Sequence, residues 1–165
     1  MGAGLVSLAV PSEMAYTGMV VPKALMVRQV SGGFLTDYEC VADLAEKATA
    51  IVAGPGMGNV PEVDGFLAGL LKNTSCPLVL DADALNRLAA NHDLREKLVT
   101  RKGVSVLTPH SGGMARLLGK DVFAEMSREE QAKSLGDFVA SKGSSISQSW
   151  LKSISYSFAL ILQTL

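Results

Sequence analysis

This sequence of 165 residues has no large excess of charge, few cysteines and no long apolar run. Lys and Arg number 15 and Asp and Glu 16, so the formal net charge is -1 and neither a nucleic acid nor an acidic membrane is expected as a partner. The two cysteines, Cys40 and Cys76, form no CxxC pair and lie in or beside apolar segments, which predicts reduced, buried thiols and a cytoplasmic location. No signal peptide is recognised, and no apolar run approaches the roughly 20 residues of a membrane span.

Apolar residues are plentiful, at 48% of the chain. That proportion supports the core of one domain, and the length leaves little room for a second. Since neither charge nor cysteine usage indicates a macromolecular partner, a small molecule is the expected ligand.

The first part of the chain predicts two strands and a helix. Gly4–Val10 and Ala24–Val30 are rich in Val and Leu and bounded by Gly or Pro, which predicts buried strands. Thr36–Ala48 is predicted to be a helix that opens with a capping box, in which Thr36 and Glu39 satisfy free amides of the first turn.

A strand, a loop and a helix then follow one another three times. The predicted strands are Ala50–Ala53, Leu78–Leu80 and Val104–Leu107, and the helix after the first of them is Pro61–Leu71. Because parallel strands need crossover connections, this order predicts an α/β fold with a mostly parallel sheet. Ligands of such sheets bind beyond the carboxyl ends of the strands, where the three loops meet.

Each of the three loops has a binding interpretation and a simpler one. The glycines of GPGMG, Gly54–Gly58, suit an anion at a helix N-terminus or merely a tight turn. In DADALN, Asp81 and Asp83 suit a divalent cation or a sugar hydroxyl, while Asp83 alone is explained equally well as a helix N-cap. His110, in TPHSGG, is either a ligand-binding residue or a loop histidine bonded to backbone.

Two further residues carry weaker signals. Arg116 follows the glycines of the third loop by one helical turn and can reach a phosphate, although a solvated helix arginine is equally ordinary. His92 has no partner pattern and is expected at the surface.

Four motifs in a fixed order add a family resemblance. They are GAGLV (Gly2–Val6), VAGPGMG (Val52–Gly58), PLVLDADALN (Pro77–Asn86) and LTPHSGGMARLLG (Leu107–Gly119). This series closely resembles the NAD(P)H-hydrate dehydratases, and the resemblance continues more weakly through a helix at Ser127–Ser141. It implies a ribokinase-like α/β fold with a mostly parallel central sheet and helices on both faces, incomplete in its C-terminal part.

The resemblance also implies an activity and a site. The substrate is NADH or NADPH hydrated at C6 of the nicotinamide ring, phosphorylated by ADP or ATP with Mg²⁺ and then restored by loss of phosphate. The implied substrate-binding residues are Gly58, His110, Ser111, Gly112, Gly113, Met114 and Arg116. Asp81, Asp83 and Asn86 are expected to shape the site or its metal-binding part. A homo-oligomer is expected as well. The motifs resemble those of bacterial members, which favours ADP as the phosphoryl donor.

The sequence departs from the family pattern in three places. Gly113 stands where the family usually has a glutamate, and the glycine-rich segment that precedes GAGLV is absent. Residues 144–165 form a Ser-rich and then apolar tail without the family's lysine-glycine strand motif or its GxGD loop, which binds phosphates and carries the catalytic aspartate. A foreign ending is therefore predicted for a partial domain at 1–143, with a merely divergent last helix as the alternative. The sheet edge left open is expected either to be partly covered by Leu151–Leu165 or to drive association with another chain.

Two functions follow from these observations. One is a nucleotide-dependent dehydratase, with negligible turnover expected for this chain alone because the phosphate loop is missing. The alternative is a non-catalytic domain that binds the dinucleotide or associates with another chain.

Overall fold

Strands and short helices alternate along the part of the chain that the computed structural model describes, which is residues 5–14, 25–118, 126–127, 129–130, 133–134, 145–146 and 160–163. The strands are β1 Val6–Pro11, β2 Leu25–Val30, β3 Ile51–Ala53, β4 Leu78–Leu80, β5 Ser105–Leu107, β6 Ser145–Ile146 and β7 Leu160–Gln163. The α-helices are α1 Ala42–Ala45, α2 Asp64–Asn73, α3 Ala82–Ala90, α4 His92–Thr100 and α5 Ser111–Leu118. Short 3-10 turns lie at Ser12–Met14, Tyr38–Val41 and Pro61–Val63.

The strands form two sheets. β1 and β2 pair in parallel as one sheet, and the other has the order β3-β4-β5-β7-β6, in which β3, β4 and β5 are parallel. The predicted α/β fold with parallel sheets is thereby confirmed. β7 runs antiparallel to β5 and β6 antiparallel to β7, so a piece of the tail covers the edge of β5, which is the first of the two outcomes expected from the sequence.

The core lies between β3–β5 and helices α2–α5. Leu78, Leu80 and Leu107 point into it from the strands and are at most 1% exposed. Leucines of α2 and α3 meet them there, and burying each such side chain contributes about 1.5–3 kcal/mol. We name this unit the β3–β5 block.

The helices of the block form a single layer. Because β3, β4 and β5 are adjacent and in chain order, right-handed crossovers place their helices on the same face of the sheet. Residues of the opposite face are only partly covered, and Val52 is 66% exposed. Helices on the second face remain a prediction.

Two local predictions are wrong. The first two strands are not buried: Val6 and Met26 are exposed, and burial is confined to carboxyl-terminal positions such as Val10 and Val30, because β1 and β2 pair only with each other. In place of a helix over Thr36–Ala48, the structure has the turn Tyr38–Val41 and the one-turn helix α1.

The start of the turn Tyr38–Val41 and the end of α1 explain the second error. The Asp37 carboxylate, rather than Thr36, accepts the first amide, that of Glu39, at 3.1 Å. The amide of Ala48 donates to the Ala45 carbonyl at 3.3 Å, a tight turn that closes the helix. The Tyr38 side chain is buried against α2, where Gly69 leaves it room.

Other predictions concern single residues. Cys40 and Cys76 are free thiols, as predicted, although each is only partly buried. His92 lies at the surface as expected. Of the helix predicted at Ser127–Ser141, most residues lie outside the described part, but Ser127 and Glu130 bond reciprocally as a capping box.

Candidate functional site

The loop after β3 is shaped by glycines that tolerate no side chain. Gly54 has φ +122°, and a Cβ there would overlap the Asp81 carbonyl and lie 2.9 Å from the Ala84 Cβ. Gly54 therefore allows the loop after β3 to touch the loop after β4. Gly58, with φ +96°, gives the same freedom at the end of the motif.

The loop after β4 binds that glycine loop directly. The N-cap of α3 is Asp81, whose carboxylate accepts the amide of Ala82 at 2.7 Å, so the assignment of the cap to Asp83 is wrong. Asp83 lies one residue inside the helix and accepts the amide of Gly58 at 3.0 Å instead. Ala82 between them has φ +45°, a strained conformation for alanine, which turns the chain sharply from strand to helix.

A hydrogen-bond chain continues from Asp83 to the third loop. The Asn86 side-chain amide donates to Asp83 at 3.3 Å, and its oxygen accepts Nε of Arg116 at 2.7 Å. This hydrogen-bond chain thus links the loops after β3, β4 and β5 through Gly58, Asp83, Asn86 and Arg116. The sequence predicted that these loops would converge, and we name the linked edge the rim.

His110 lies exposed on the rim and is bonded to backbone. Its Nδ1 accepts the amide of Gly112 at 3.1 Å, in the first turn of α5. A neutral imidazole that accepts through Nδ1 carries its proton on Nε2. The backbone bond of the simpler interpretation is therefore present, and it leaves the Nε2–H as a donor for a ligand.

Gly112 holds His110 and Arg116 close together. A Cβ at Gly112 would lie 3.0 Å from Cε1 of His110 and 3.8 Å from Nη1 of Arg116, so both side chains flank the same glycine. Within the described part of the chain, Nε is the only atom of the Arg116 guanidinium that has a hydrogen-bond partner. A guanidinium with free donors beside an imidazole donor is suited to a phosphate.

The remaining predicted residues of the third loop differ in exposure. Ser111 opens α5, and Gly113 follows it, buried, where an added Cβ would lie 3.6 Å from the Pro109 Cβ. Met114 is 1% exposed in the core, and its amide donates to the His110 carbonyl. Its side chain therefore packs in the core, because helical spacing turns this position toward the sheet, and a contact of Met114 with substrate stays a prediction.

The rim extends to a loop that the sequence analysis missed. Ser12, after β1, bonds Gly32, after β2, and Phe34 follows two residues later. A Cβ on Gly58 would lie 2.8 Å from the Phe34 ring, so the ring packs on that glycine. The signal available in the sequence was an aromatic residue directly after a glycine pair at the end of a predicted strand.

The rim contains one hydroxyl with no partner. Oγ1 of Thr108, directly after β5, is buried and makes no hydrogen bond within the described part. Such an atom costs about 1–3 kcal/mol in desolvation when no partner replaces water.

The carboxylates of the rim already accept hydrogen bonds from neighbouring groups. Asp81 and Asp83 both accept backbone amides and belong to no cluster of three metal-binding side chains among the described residues. The cluster that does meet this spacing among the described residues is His92, Asp93 and Glu96, whose side chains are exposed at the start of α4. Because Mg²⁺ is commonly held by one or two carboxylates together with substrate phosphates, the implied role of Asp81 and Asp83 at a Mg²⁺ site stays a prediction.

Two cavities lie outside the hydrogen-bonded loops that follow β3, β4 and β5. One of about 320 Å³ is bounded by Arg28–Ser31, Thr36, Asp37 and Cys40. The other, about 400 Å³, lies at the opposite end of the strands beside the buried Arg101, whose pKa burial lowers. Neither is lined by a predicted site residue, so the candidate site is the open rim.

The rim defines a class of protein: an α/β protein with parallel strands, whose candidate small-molecule site lies in the loops at the carboxyl ends of those strands. None of the described helices is long and apolar enough to cross a membrane. Comparison with protein families narrows this class. The NAD(P)H-hydrate dehydratase family matches residues 1–142, and the chain belongs to it.

Three relatives share the name bifunctional NAD(P)H-hydrate repair enzyme Nnr. The chain is 36% identical to that of Salinibacter ruber over 126 residues, covering 73% of the chain and 23% of the relative. The chain is 36% identical to the Escherichia coli enzyme over 121 residues, which is 73% of the chain and 21% of the relative. It is 32% identical to the Moorella thermoacetica enzyme over 148 residues, which is 79% of the chain and 27% of the relative. The chain spans about a quarter of the length of these relatives.

Proposed function

We propose that the rim is the dinucleotide site of a nucleotide-dependent NAD(P)H-hydrate dehydratase, a metabolite repair enzyme of the cytoplasm. In the proposed reaction, ADP or ATP transfers a phosphoryl group to the C6 hydroxyl of hydrated NADH or NADPH. Loss of inorganic phosphate and of a ring proton then restores the nicotinamide double bond. The names of the family and of the relatives support the substrate, and the rim geometry supports its location.

The observation that carries this location is the pair His110 and Arg116 at Gly112. Arg116 keeps N–H donors beyond the one bonded to Asn86, and these are proposed to neutralise the pyrophosphate of the dinucleotide. The Nε2–H of His110 is proposed to donate to a phosphate or to the substrate hydroxyl. Ser111, Gly112 and Gly113 place the first turn of α5 beside the same anion.

The other rim residues are proposed to position rather than to react. The Gly58 amide is occupied by Asp83, so Gly58 is proposed to meet the ligand through its carbonyl or Cα. Asp81 fixes the start of α3, and Asp83 and Asn86 hold Arg116 in place. Mg²⁺ and the choice between ADP and ATP rest on the family alone.

The test of this site compares variants of His110 and Arg116. His110→Ala is expected to weaken binding of hydrated NADH by about 1–2 kcal/mol, as for loss of a hydrogen bond to a charged ligand. His110→Asn keeps an acceptor for the Gly112 amide and should show the same loss without any loss of stability. Titration calorimetry with hydrated NADH measures the affinity, and urea unfolding measures the stability.

Arg116→Ala is expected to lower the same affinity by about 1.5–3 kcal/mol, because a charge-assisted contact is lost. Lys102→Ala, at the opposite end of β5, is the matched control and should change nothing. If Arg116→Ala and Lys102→Ala bind hydrated NADH with equal affinity, the rim is not the dinucleotide site.

A second candidate is a domain that binds the dinucleotide without turning it over, alone or as a homo-oligomer. It is favoured by the absence of a GxGD segment from this sequence. A thermal shift with hydrated NADPH and none with ADP or ATP supports it. Recovery of NADH absorbance by the purified chain with hydrated NADH, Mg²⁺ and either nucleotide, above the rate in buffer, rules it out.

A further inference from the structure

Phe34 is a large apolar side chain on the rim that the proposed reaction does not use. It is 40% exposed, although it packs on Gly58 with one edge. Gly58 in turn bonds Asp83, so Phe34 is one contact removed from the chain that holds Arg116. An aromatic ring is thus exposed at the Gly58 end of the hydrogen-bond chain whose other end is Arg116.

The loop that carries Phe34 is fixed on both sides. Before it, the Gly32 amide donates to Oγ of Ser12 at 3.2 Å, and the Ser12 hydroxyl faces the Gly32 carbonyl at 3.5 Å. After it, Leu35 is buried in the core. The ring therefore remains partly exposed although both flanking positions are tied down, which is the arrangement of a stacking surface.

We propose that Phe34 stacks on an adenine base. The proposal rests on the proposed function, in which both the dinucleotide and the phosphoryl donor carry adenine. Hydration at C6 removes the planarity of the nicotinamide ring, so adenine is the flat, fully aromatic ring that these ligands offer. Stacking of a base on an exposed aromatic side chain is sequence-tolerant and depends on the π face.

The experiment compares Phe34→Leu, which keeps apolar bulk on Gly58, with Phe34→Tyr, which keeps the ring. Met26→Leu, an exposed apolar position within β2, is the matched control. Dissociation constants are measured for ADP-ribose, ADP and the hydrated form of reduced nicotinamide mononucleotide, which lacks adenine. Urea unfolding of each variant reports the packing on Gly58.

Phe34→Leu is expected to weaken an adenine ligand about tenfold, while Phe34→Tyr and Met26→Leu bind as the wild type does. Loss for ADP-ribose alone assigns the base to the dinucleotide, and loss for ADP alone assigns it to the donor. Affinity for the mononucleotide should stay unchanged in every variant.

Two results overturn the inference. One is a Phe34→Leu variant that binds both adenine ligands as the wild type does, whatever its stability, and a lower stability of that variant would leave Phe34 a packing residue. In that case wild-type binding of hydrated NADH still supports the proposed function. The other is a wild-type chain that binds neither ADP-ribose nor ADP. If that chain still binds hydrated NADH, only the stacking inference is wrong. If it does not bind hydrated NADH either, the proposed function is wrong as well.

Discussion

The β3–β5 block and the β1–β2 pair are built from similar apolar strands, yet their environments differ. In the block, Leu78 and Leu107 are at most 1% exposed, whereas Val6 and Met26 in the pair are 38% and 46% exposed. The difference comes from neighbours rather than composition: helices α2–α5 cover the block, while β1 and β2 pair only with each other. Strand propensity therefore predicts a strand, and tertiary packing decides whether it is buried.

The largest expected effect separates the glycines of the two regions. Gly54→Ala in the block is expected to lower the free energy of unfolding by about 4 kcal/mol or more, because a positive φ and an overlap with the Asp81 backbone are combined. Gly32→Ala, after β2, has a similar φ but its Cβ would meet only the Phe34 carbonyl, at 3.8 Å. Its cost should be about 1–2 kcal/mol. Equal losses in urea unfolding would show that the block is no more tightly packed than the pair.

The next effect compares two ion pairs. Arg87 donates to both carboxylate oxygens of Asp64 at 2.8 and 2.9 Å, and both side chains are mostly buried. Asp64→Asn is expected to cost about 3 kcal/mol, as for a broken buried pair. Arg28→Gln, which breaks an exposed pair with Asp43, should leave thermal unfolding unchanged.

The Asp64 pair also predicts a pH dependence. The hydrogen bond from Arg87 lowers the pKa of Asp64 against the opposing effect of burial, with a further hydrogen bond from Asn91. A lowered folded pKa gives stability that is complete above the unfolded value of about 3.9 and is lost as the pH falls through the folded value. The stability gap between wild type and Asp64→Asn should therefore be constant near neutrality and close below about pH 4.

A smaller effect tests backbone strain in the block. Ala82→Gly is expected to raise the free energy of unfolding by about 1 kcal/mol, because glycine adopts φ +45° without strain. Ala84→Gly, two residues later in α3, should lower it by at least about 1 kcal/mol. Thermal unfolding distinguishes the two signs.

The smallest effect concerns a buried hydroxyl. Thr108→Val is expected to change stability by less than about 1 kcal/mol, and in the favourable direction, since it removes a polar atom with no partner in the described part of the chain. Thr74→Val is the control. The Thr74 hydroxyl donates to the Leu70 carbonyl at 2.7 Å and accepts from Arg101, so its removal should cost about 1–3 kcal/mol. A comparable loss for Thr108→Val would indicate a partner for its hydroxyl.

Particular residues show where sequence reasoning succeeds and where it does not. Strand β4 is predicted at its observed bounds because an apolar run between Pro77 and Asp81 leaves few alternatives. The roles of Asp81 and Asp83 are harder to predict, because either carboxylate suits the N-cap of α3 and only the position of Gly58 decides between them. Phe34 is missed because a single aromatic residue has no periodicity, and its place on the rim comes only from its contact with Gly58, 24 residues away in sequence.

The hydrogen-bond chain from Gly58 to Arg116 has a thermodynamic consequence for any ligand of the rim. A long arginine side chain normally loses rotamer freedom when it grips a phosphate, and that loss opposes binding. Here the hydrogen bond to Asn86 restrains Arg116 before any ligand binds. Much of the side-chain entropy of Arg116 is therefore lost when the chain folds rather than when the ligand binds. Asn86→Ala should therefore bind the same ligand with a larger entropic penalty in calorimetry, although every group that touches the ligand is still present.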